Sequence, residues 1–363
     1  MVVMCCSPRS GGFMETINID GRTIGKGKTP YFIAEIGSNY NGDMNLCKKM
    51  IDAAVACGAD AVKFQSWTKS SLISKAEYAR NTEYSDKKKH FGSLEDMVEK
   101  YQFTPEQHEE IASYCRNVDI TFLSSCFSNN EVDLLDSLQV PVFKIASMDI
   151  NNLSLLEYVA RKGKPVILST GMASLGEIET AISTLRSSGS GPIILLHCIS
   201  IYPPDFESIN LYNISTLERA FDVMVGFSDH TLGTTIPIAA IALGACVIEK
   251  HFTLDKNLPG WDHAISADPL EMKKLVNEGR EVFLSLGSST RIVGEDEIEK
   301  RRKFRRSLVL KRNMKKGDVI SQKDIDFKRP GTGIRPDEIK YVIGRTLIKD
   351  TEADIELNWA NLR

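Results

Sequence analysis

Eight short apolar runs recur over the first 251 residues, each separated from the next by a stretch with helical periodicity. They read YFIAEI (Tyr31–Ile36), DAVKFQ (Asp60–Gln65), ITFLSS (Ile120–Ser125), VFKIAS (Val142–Ser147), PVILST (Pro165–Thr170), PIILLHC (Pro192–Cys198), VMVGFSDH (Val223–His230) and CVIEKH (Cys246–His251). Strands that alternate with helices are parallel and joined by right-handed crossovers. Eight such units predict an α/β chain folded as a (β/α)8 TIM barrel, with its active site at the C-terminal ends of the strands. At or just past those ends stand Glu35, Lys63, Gln65, Lys144, Ser147, Ser228, His230, Glu249 and His251. Polar residues far apart in sequence therefore converge on one mouth.

The intervening stretches fit this phasing. Asn45–Cys57 places Leu46, Met50, Ile51, Ala54 and Val55 close to helical i, i+3, i+4 spacing. Thr104–Pro105–Glu106 reads as a helix start, with a capping hydroxyl and proline in the first turn. Glu106–Cys115, Asn129–Leu138, Leu153–Arg161, Leu175–Leu185, Ser215–Ala220, Gly233–Leu243 and Pro269–Leu286 fill the other gaps. One polar excursion, Ser66–Tyr101, with Tyr78, Tyr84 and Phe91, interrupts the rhythm. On the active-site face it predicts a lid or substrate wall.

The barrel is expected over residues 15–287, with a linker at 288–304 and a β-rich second domain at 305–363. The linker ends in a run with six basic residues in seven, Lys300–Arg306, beside acidic Glu295–Glu299, which reads as a solvated charge pair. SLVLKR and DVISQKDI read as strands, with KKGD as a turn. About 60 residues are marginal as an independent fold, so this part is expected to pack on something.

The net charge of −3 argues against nonspecific nucleic-acid binding, and no apolar run approaches a membrane span. The N-terminus MVVMCCSPRSGGF lacks the n- and h-regions of a signal peptide, and Met14 is a plausible start. The eight cysteines show no close CxxC pair. Cysteines within apolar runs suit buried free thiols and a reducing cytoplasm.

His230 and His251 end neighbouring strands, roughly 4.8 Å apart. Two imidazoles at similar height can share a divalent metal, leaving open positions for substrate and water, with Glu249 able to orient a ligand from behind. Lys63 and Lys144 interrupt apolar runs. An inward lysine is either a Schiff-base amine or a point charge for phosphate or carboxylate, and two of them beside Ser147 favour an anion site. Glu35 opens a glycine-bearing turn, where a carboxylate can orient hydroxyls or move protons. Asp149 and Asp262 are further loop acids.

AEIGSNYNGD, KFQ, FKIASMDINN, STGM, HCISIYP, GFSDHT, EKHFTLD and WDHAIS, in this order, closely resemble the sialic acid (nonulosonate) synthase family. RRSLVLKRNMKKGDVIS and KRPGTGI resemble its C-terminal antifreeze-like (SAF) domain. The resemblance implies condensation of phosphoenolpyruvate with N-acetylmannosamine, or a related acetamido-mannose, to give a sialic acid and phosphate. It implies Mn2+ or Mg2+ on His230 and His251, polarising the open-chain aldehyde while C3 of phosphoenolpyruvate attacks. It implies phosphoenolpyruvate at Lys63, Gln65, Lys144, Ser147 and Ser228, and sugar at Glu35, Tyr202, Asp262 and Arg329. It further implies a domain-swapped homodimer whose small domain supplies Arg329 to the partner's site. Tyr40 stands where many members have His, and Asp149 where a Glu is common, with a bearing on acid/base steps. A 2,4-diacetamido-2,4,6-trideoxymannose acceptor, giving legionaminate, is the rival to N-acetylmannosamine. A 6-phosphorylated sugar finds no extra phosphate cradle. Two other readings remain open here: a Schiff-base keto-acid aldolase, and a non-catalytic sugar- or ice-binding protein.

Overall fold

In the computed structural model, which describes residues 16–83, 85–86, 89–90 and 92–363, all eight apolar runs form strands. They are β1 (Tyr31–Glu35), β2 (Ala61–Ser66), β3 (Thr121–Cys126), β4 (Phe143–Ile145), β5 (Val166–Ser169), β6 (Ile193–Cys198), β7 (Met224–Asp229) and β8 (Val247–His251). They pair in sequence order, all parallel, and β8 closes on β1 with His251 opposite Glu35. The chain is thus a (β/α)8 barrel followed by a second unit, divided between Gly287 and Ser288. Met14, Tyr84 and Phe91 lie outside the described residues.

The two-residue period of a strand explains the barrel's interior. Ile33, Ala61, Leu123, Val142, Ile167, Leu196 and Val247 fill the lower barrel in one apolar cluster. Two residues further along each strand, the same face carries Glu35, Lys63, Ser125, Lys144, Ser169, Cys198 and Glu249. At Gly226 of β7 a side chain has no room: a β-carbon would lie 2.5 Å from the Val247 carbonyl oxygen. The hairpin Ile17–Ile19/Arg22–Ile24 seals the bottom with Ile17, Ile19 and Ile24. The opposite strand faces, among them Phe32, Val62, Phe64, Phe143, Val225 and Phe227, pack on the surrounding helices.

Those helices start where local chemistry directs. Asp43 accepts from Asn45 and Leu46 N–H to cap Met44–Cys57, and Gly58 ends that helix at φ 79°. Thr104 caps Pro105–Asn117 in a reciprocal box with Gln107. The excursion after β2 forms Lys69–Leu72, Lys75–Arg80 and Leu94–Tyr101, around its own cluster of Trp67, Tyr78, Leu94, Met97, Val98 and Tyr101.

In the second unit, Ser307–Leu310 pairs antiparallel with Ile325–Lys328 over a core including Leu308, Ile320, Val342 and Leu357. The predicted strand over DVISQKDI is therefore displaced. Ser321 and Asp324 bond reciprocally across a short 3-10 turn, which interrupts the run before Ile325. Residues 288–304, read as linker, carry a helix at Glu295–Phe304. Its first turn is acidic and its last turn basic, which complements the helix dipole.

Asp60 joins three layers of the barrel. Its buried carboxylate meets Arg22 of the sealing hairpin at 2.7 Å and Arg280 of helix Pro269–Leu286 at 3.4 Å, and accepts the Phe32 N–H at 2.8 Å. Asp60→Ala leaves that N–H unmet, so it is expected to destabilise the barrel by about 1–3 kcal/mol. Chemical denaturation checks this; an unchanged unfolding midpoint would make the cluster incidental.

Candidate active site

The polar layer at the strand ends encloses a cavity of about 310 Å3. Glu35, Lys63, Gln65, Lys144, Ser147, Tyr202, Ser228, His230, Glu249 and His251 all line it. A larger groove, about 1150 Å3, lies among Asp20, Asp60, Arg116 and Gln139, away from this constellation.

Lys63 anchors one side of the cavity. Its ammonium lies 2.6 Å from Glu35 Oε2 and 3.8 Å from Glu249 Oε2, and donates to Ser125 Oγ at 3.2 Å. Gln65 Nε2 donates to Glu35 Oε1 at 2.9 Å, and Ser228 Oγ to Glu249 Oε1 at 3.0 Å. Burial pushes the Glu35 carboxyl up to about 7, against the pull of Lys63. Glu249 suffers the same burial, but Lys144 and Lys63 outweigh it and hold this carboxyl down at about 2. The two acids thus differ: one is poised to exchange a proton near neutrality and the other stays ionised.

Lys144 is held differently. Its ammonium donates to Ser169 Oγ at 2.7 Å and to the Ile145 carbonyl at 3.0 Å, both neutral acceptors. Burial pulls its pKa down. Beside it, Ser147 Oγ accepts the Gly171 N–H at 3.1 Å and lies 3.2 Å from Cys198 Sγ. A buried ammonium with adjacent hydroxyls, one of them held by the Gly171 N–H, makes a corner that can receive an anion.

The histidines occupy the other side. His230 and His251 have ring centroids 5.5 Å apart, and the Tyr202 ring packs on His230 at 4.1 Å. His230 Nδ1 bonds to the Ile199 carbonyl at 2.8 Å. A carbonyl only accepts, so Nδ1 carries the hydrogen and Nε2 keeps its lone pair. Burial and the neighbouring His251 push the His230 pKa down to about 4, so the ring is neutral. His251 Nδ1 lies 3.7 Å from Asp262 Oδ2. Two imidazoles at this spacing, His230 neutral and oriented by a carbonyl, fit a shared divalent cation with open coordination positions. Among the described residues no set of three or more His, Cys, Asp or Glu forms a fuller cage.

The remaining predicted residues fall elsewhere. Asp149 is half-buried and does not line the cavity; its Oδ1 accepts from Asn152 Nδ2 at 3.4 Å. Asp262 does not line the cavity but stands beside His251. Arg329 belongs to the second unit, exposed, with its guanidinium 5.1 Å above the Phe304 ring. Tyr40 is buried outside the cavity, stacked on Phe103 at 4.3 Å, and its hydroxyl donates to the Tyr101 carbonyl. None of the described residues of the Ser66–Tyr101 excursion lines the cavity. Trp67 instead buttresses Phe127, a wall residue, and Trp261. Sequence reasoning passed over Ser125, Ser169, Cys198 and Ser200, cavity residues whose only prior signal is their position on the inward face.

A closed parallel barrel with buried lysines, carboxylates and paired histidines at its C-terminal mouth defines the class, a (β/α)8-barrel protein with an enzyme-like site. The chain belongs to the NeuB family, whose model matches residues 50–291, and the SAF-domain model matches 305–363. It is 40% identical to N,N'-diacetyllegionaminic acid synthase of Legionella pneumophila, over 93% of this chain and 96% of that protein. It is 37% identical to pseudaminic acid synthase of Helicobacter pylori, over 91% and 96%. The crystal structure of the N-acetylneuraminic acid synthetase of Leptospira borgpetersenii, in complex with citrate, aligns with a TM-score of 0.72 at 35% identity, over 80% of this chain and 96% of that one. No helix among the described residues is long and apolar enough to cross a membrane.

The anion corner depends on Gly171, where a β-carbon would lie 2.3 Å from Ser200 Oγ, 2.9 Å from Ser147 Oγ and 3.0 Å from Cys198 Sγ. Gly171→Ala displaces these groups, and losing one or two hydrogen bonds to an anion weakens binding about tenfold or more. Calorimetric titration of phosphoenolpyruvate checks this, and wild-type affinity in the variant would remove this corner from the ligand site.

Proposed function

We propose that this chain is a nonulosonate synthase, condensing phosphoenolpyruvate with an acetamido-mannose sugar to give a nine-carbon 2-keto acid and phosphate. The observation that carries the reading is the division of one cavity into an anion side, Lys63 and Lys144, and an imidazole side, His230 and His251. Family membership and the synthase relatives support it.

In this reading Lys63, Lys144 and Ser147 bind the phosphate and carboxylate of phosphoenolpyruvate, with the Gly171 N–H holding Ser147 and with Gln65 and Ser228 holding Glu35 and Glu249 in place. C3 of phosphoenolpyruvate attacks the aldehyde carbon of the open-chain sugar, forming the new C–C bond. Water adds at C2, and C–O cleavage releases phosphate. Glu35 sits where a carboxyl near neutral pKa can pass protons to and from the sugar oxygens. Asp149 lies off the cavity, so acid/base duty is assigned to Glu35. Mn2+ or Mg2+ held by His230 and His251 supplies Lewis-acid polarisation of the aldehyde. Tyr202 and Asp262 border the imidazole side and suit sugar contact.

Within the acceptor class, N-acetylmannosamine and 2,4-diacetamido-2,4,6-trideoxymannose compete. Met148 and Met172 form part of the cavity wall without hydrogen-bond donors. They and the 40% identical relative favour the deoxy, diacetamido sugar. Met148, Met172, Ile201, Phe206, Tyr212 and Leu232 are exposed hydrophobic side chains, and the reading includes a homodimer in which Arg329 of the partner subunit completes the sugar site. The cysteines at 47, 57, 115, 126, 198 and 246 are buried free thiols, in keeping with a cytoplasmic setting.

Phosphate release from phosphoenolpyruvate with Mn2+ is expected with one of the two sugars and to stop in EDTA. His230→Ala and His251→Ala are each expected to lower turnover 100-fold or more, a loss of about 3 kcal/mol. Release that survives EDTA and both substitutions would remove the metal role. Borohydride trapping of pyruvate on Lys144 or Lys63 would replace the synthase with an aldolase.

A further inference from the structure

We propose that the buried Asp229–Lys250 pair, behind the barrel wall, is a clamp that sets the spacing of His230 and His251. The inference rests on reading those histidines as the metal-holding pair. Asp229 ends β7, directly before His230, and Lys250 precedes His251 on β8; the two are register partners. Each is 1% exposed, and neither lines the cavity.

The contacts form a closed ring around residue 230. Lys250 Nζ meets Asp229 Oδ2 at 2.5 Å and donates to the Thr231 carbonyl at 2.7 Å. The Thr231 N–H donates to Asp229 Oδ1 at 2.9 Å. The backbone on both sides of His230 is therefore tied to the side chain that immediately precedes His251. The imidazole's rotation is fixed separately, by Nδ1 on the Ile199 carbonyl. The strand pairing itself ends at Asp229 and Lys250, so His230 lies just beyond the last paired residue of β7. Without the ring, nothing in the β7–β8 ladder registers residue 230 against residue 251.

A buried ion pair is a poor source of stability, because desolvating two charges offsets their attraction and apolar replacements are often neutral. What it supplies here is direction: a lysine with two acceptors at fixed angles places the turn at 229–231 in one position. Asp229 and Lys250 are accordingly positioning residues, acting through the two imidazoles.

The test uses the full chain and Mn2+ alone, with free Mn2+ followed by its EPR signal, so that no turnover is needed. The variants are Lys250→Met and the double variant Asp229→Asn/Lys250→Met. The double variant removes both charges yet keeps an acceptor for the Thr231 N–H. Both are expected to bind Mn2+ roughly 10- to 100-fold more weakly, the usual effect of losing a partner behind a metal ligand. Phosphoenolpyruvate affinity, read by calorimetry, should stay near wild type, since Lys63 and Lys144 are untouched. If the single variant misfolds because a bare carboxylate is buried, the double variant carries the test. A folded double variant with wild-type Mn2+ affinity overturns the clamp, as does parallel loss of Mn2+ and phosphoenolpyruvate binding, or failure of the double variant to fold. A wild-type chain that binds no Mn2+, or binds it equally well after His251→Ala, overturns the metal reading and the clamp together. The other outcomes sink the clamp alone.

Discussion

A closed parallel barrel gives its inward side chains a single direction in which chemistry can be placed. The interior is too narrow for anything but packed side chains, and the strand period moves each inward position up by two residues. In this chain the layer of Ile33, Ala61, Leu123, Val142, Ile167, Leu196 and Val247 supports the layer of Glu35, Lys63, Ser125, Lys144, Ser169, Cys198 and Glu249. The lower layer is dry and close-packed, so the upper layer's charges cannot retreat downward, and they neutralise one another or wait for a ligand. The hairpin beneath, tied to Asp60 through Arg22, adds Ile17, Ile19 and Ile24 to the same apolar cluster.

This constraint explains why so much of the fold is legible in the sequence. The eight runs, their spacing and the helix start at Thr104–Pro105 are local signals, and the structure places strands and helices where they occur. The convergence of Lys63, Lys144, His230 and His251 follows from topology once the barrel is inferred. Long-range partners are less accessible. Nothing local distinguishes Ser125 and Ser169 from ordinary strand serines, yet each holds a lysine. Asp149 and Tyr40 look like site residues by their neighbours in sequence, but one lies beside Asn152 and the other under Phe103. The excursion at Ser66–Tyr101 reads as a lid because it leaves the barrel at its active face. Among the described residues, Trp67, Tyr78 and Tyr101 build a small core that packs on Phe127 and Trp261 and does not line the cavity. In the second unit, DVISQKDI has strand-like composition, but Ser321 and Asp324 satisfy each other locally, which a propensity argument does not weigh.

The cavity's electrostatics rest on an asymmetry between two lysines. Lys63 is compensated by Glu35 and Glu249, whereas Lys144 leans on a serine and a carbonyl. Lys144 has no carboxylate in contact and feels Glu249 only at range, so beside Ser147 an incoming anion meets an ammonium it need not share directly. Glu249 links the two halves of the cavity: one oxygen faces Lys63, the other accepts from Ser228, and the next inward residue along its strand is His251. Glu249 thus borders both the lysine side and the imidazole side of the cavity, which is why a single strand, β8, contributes to each.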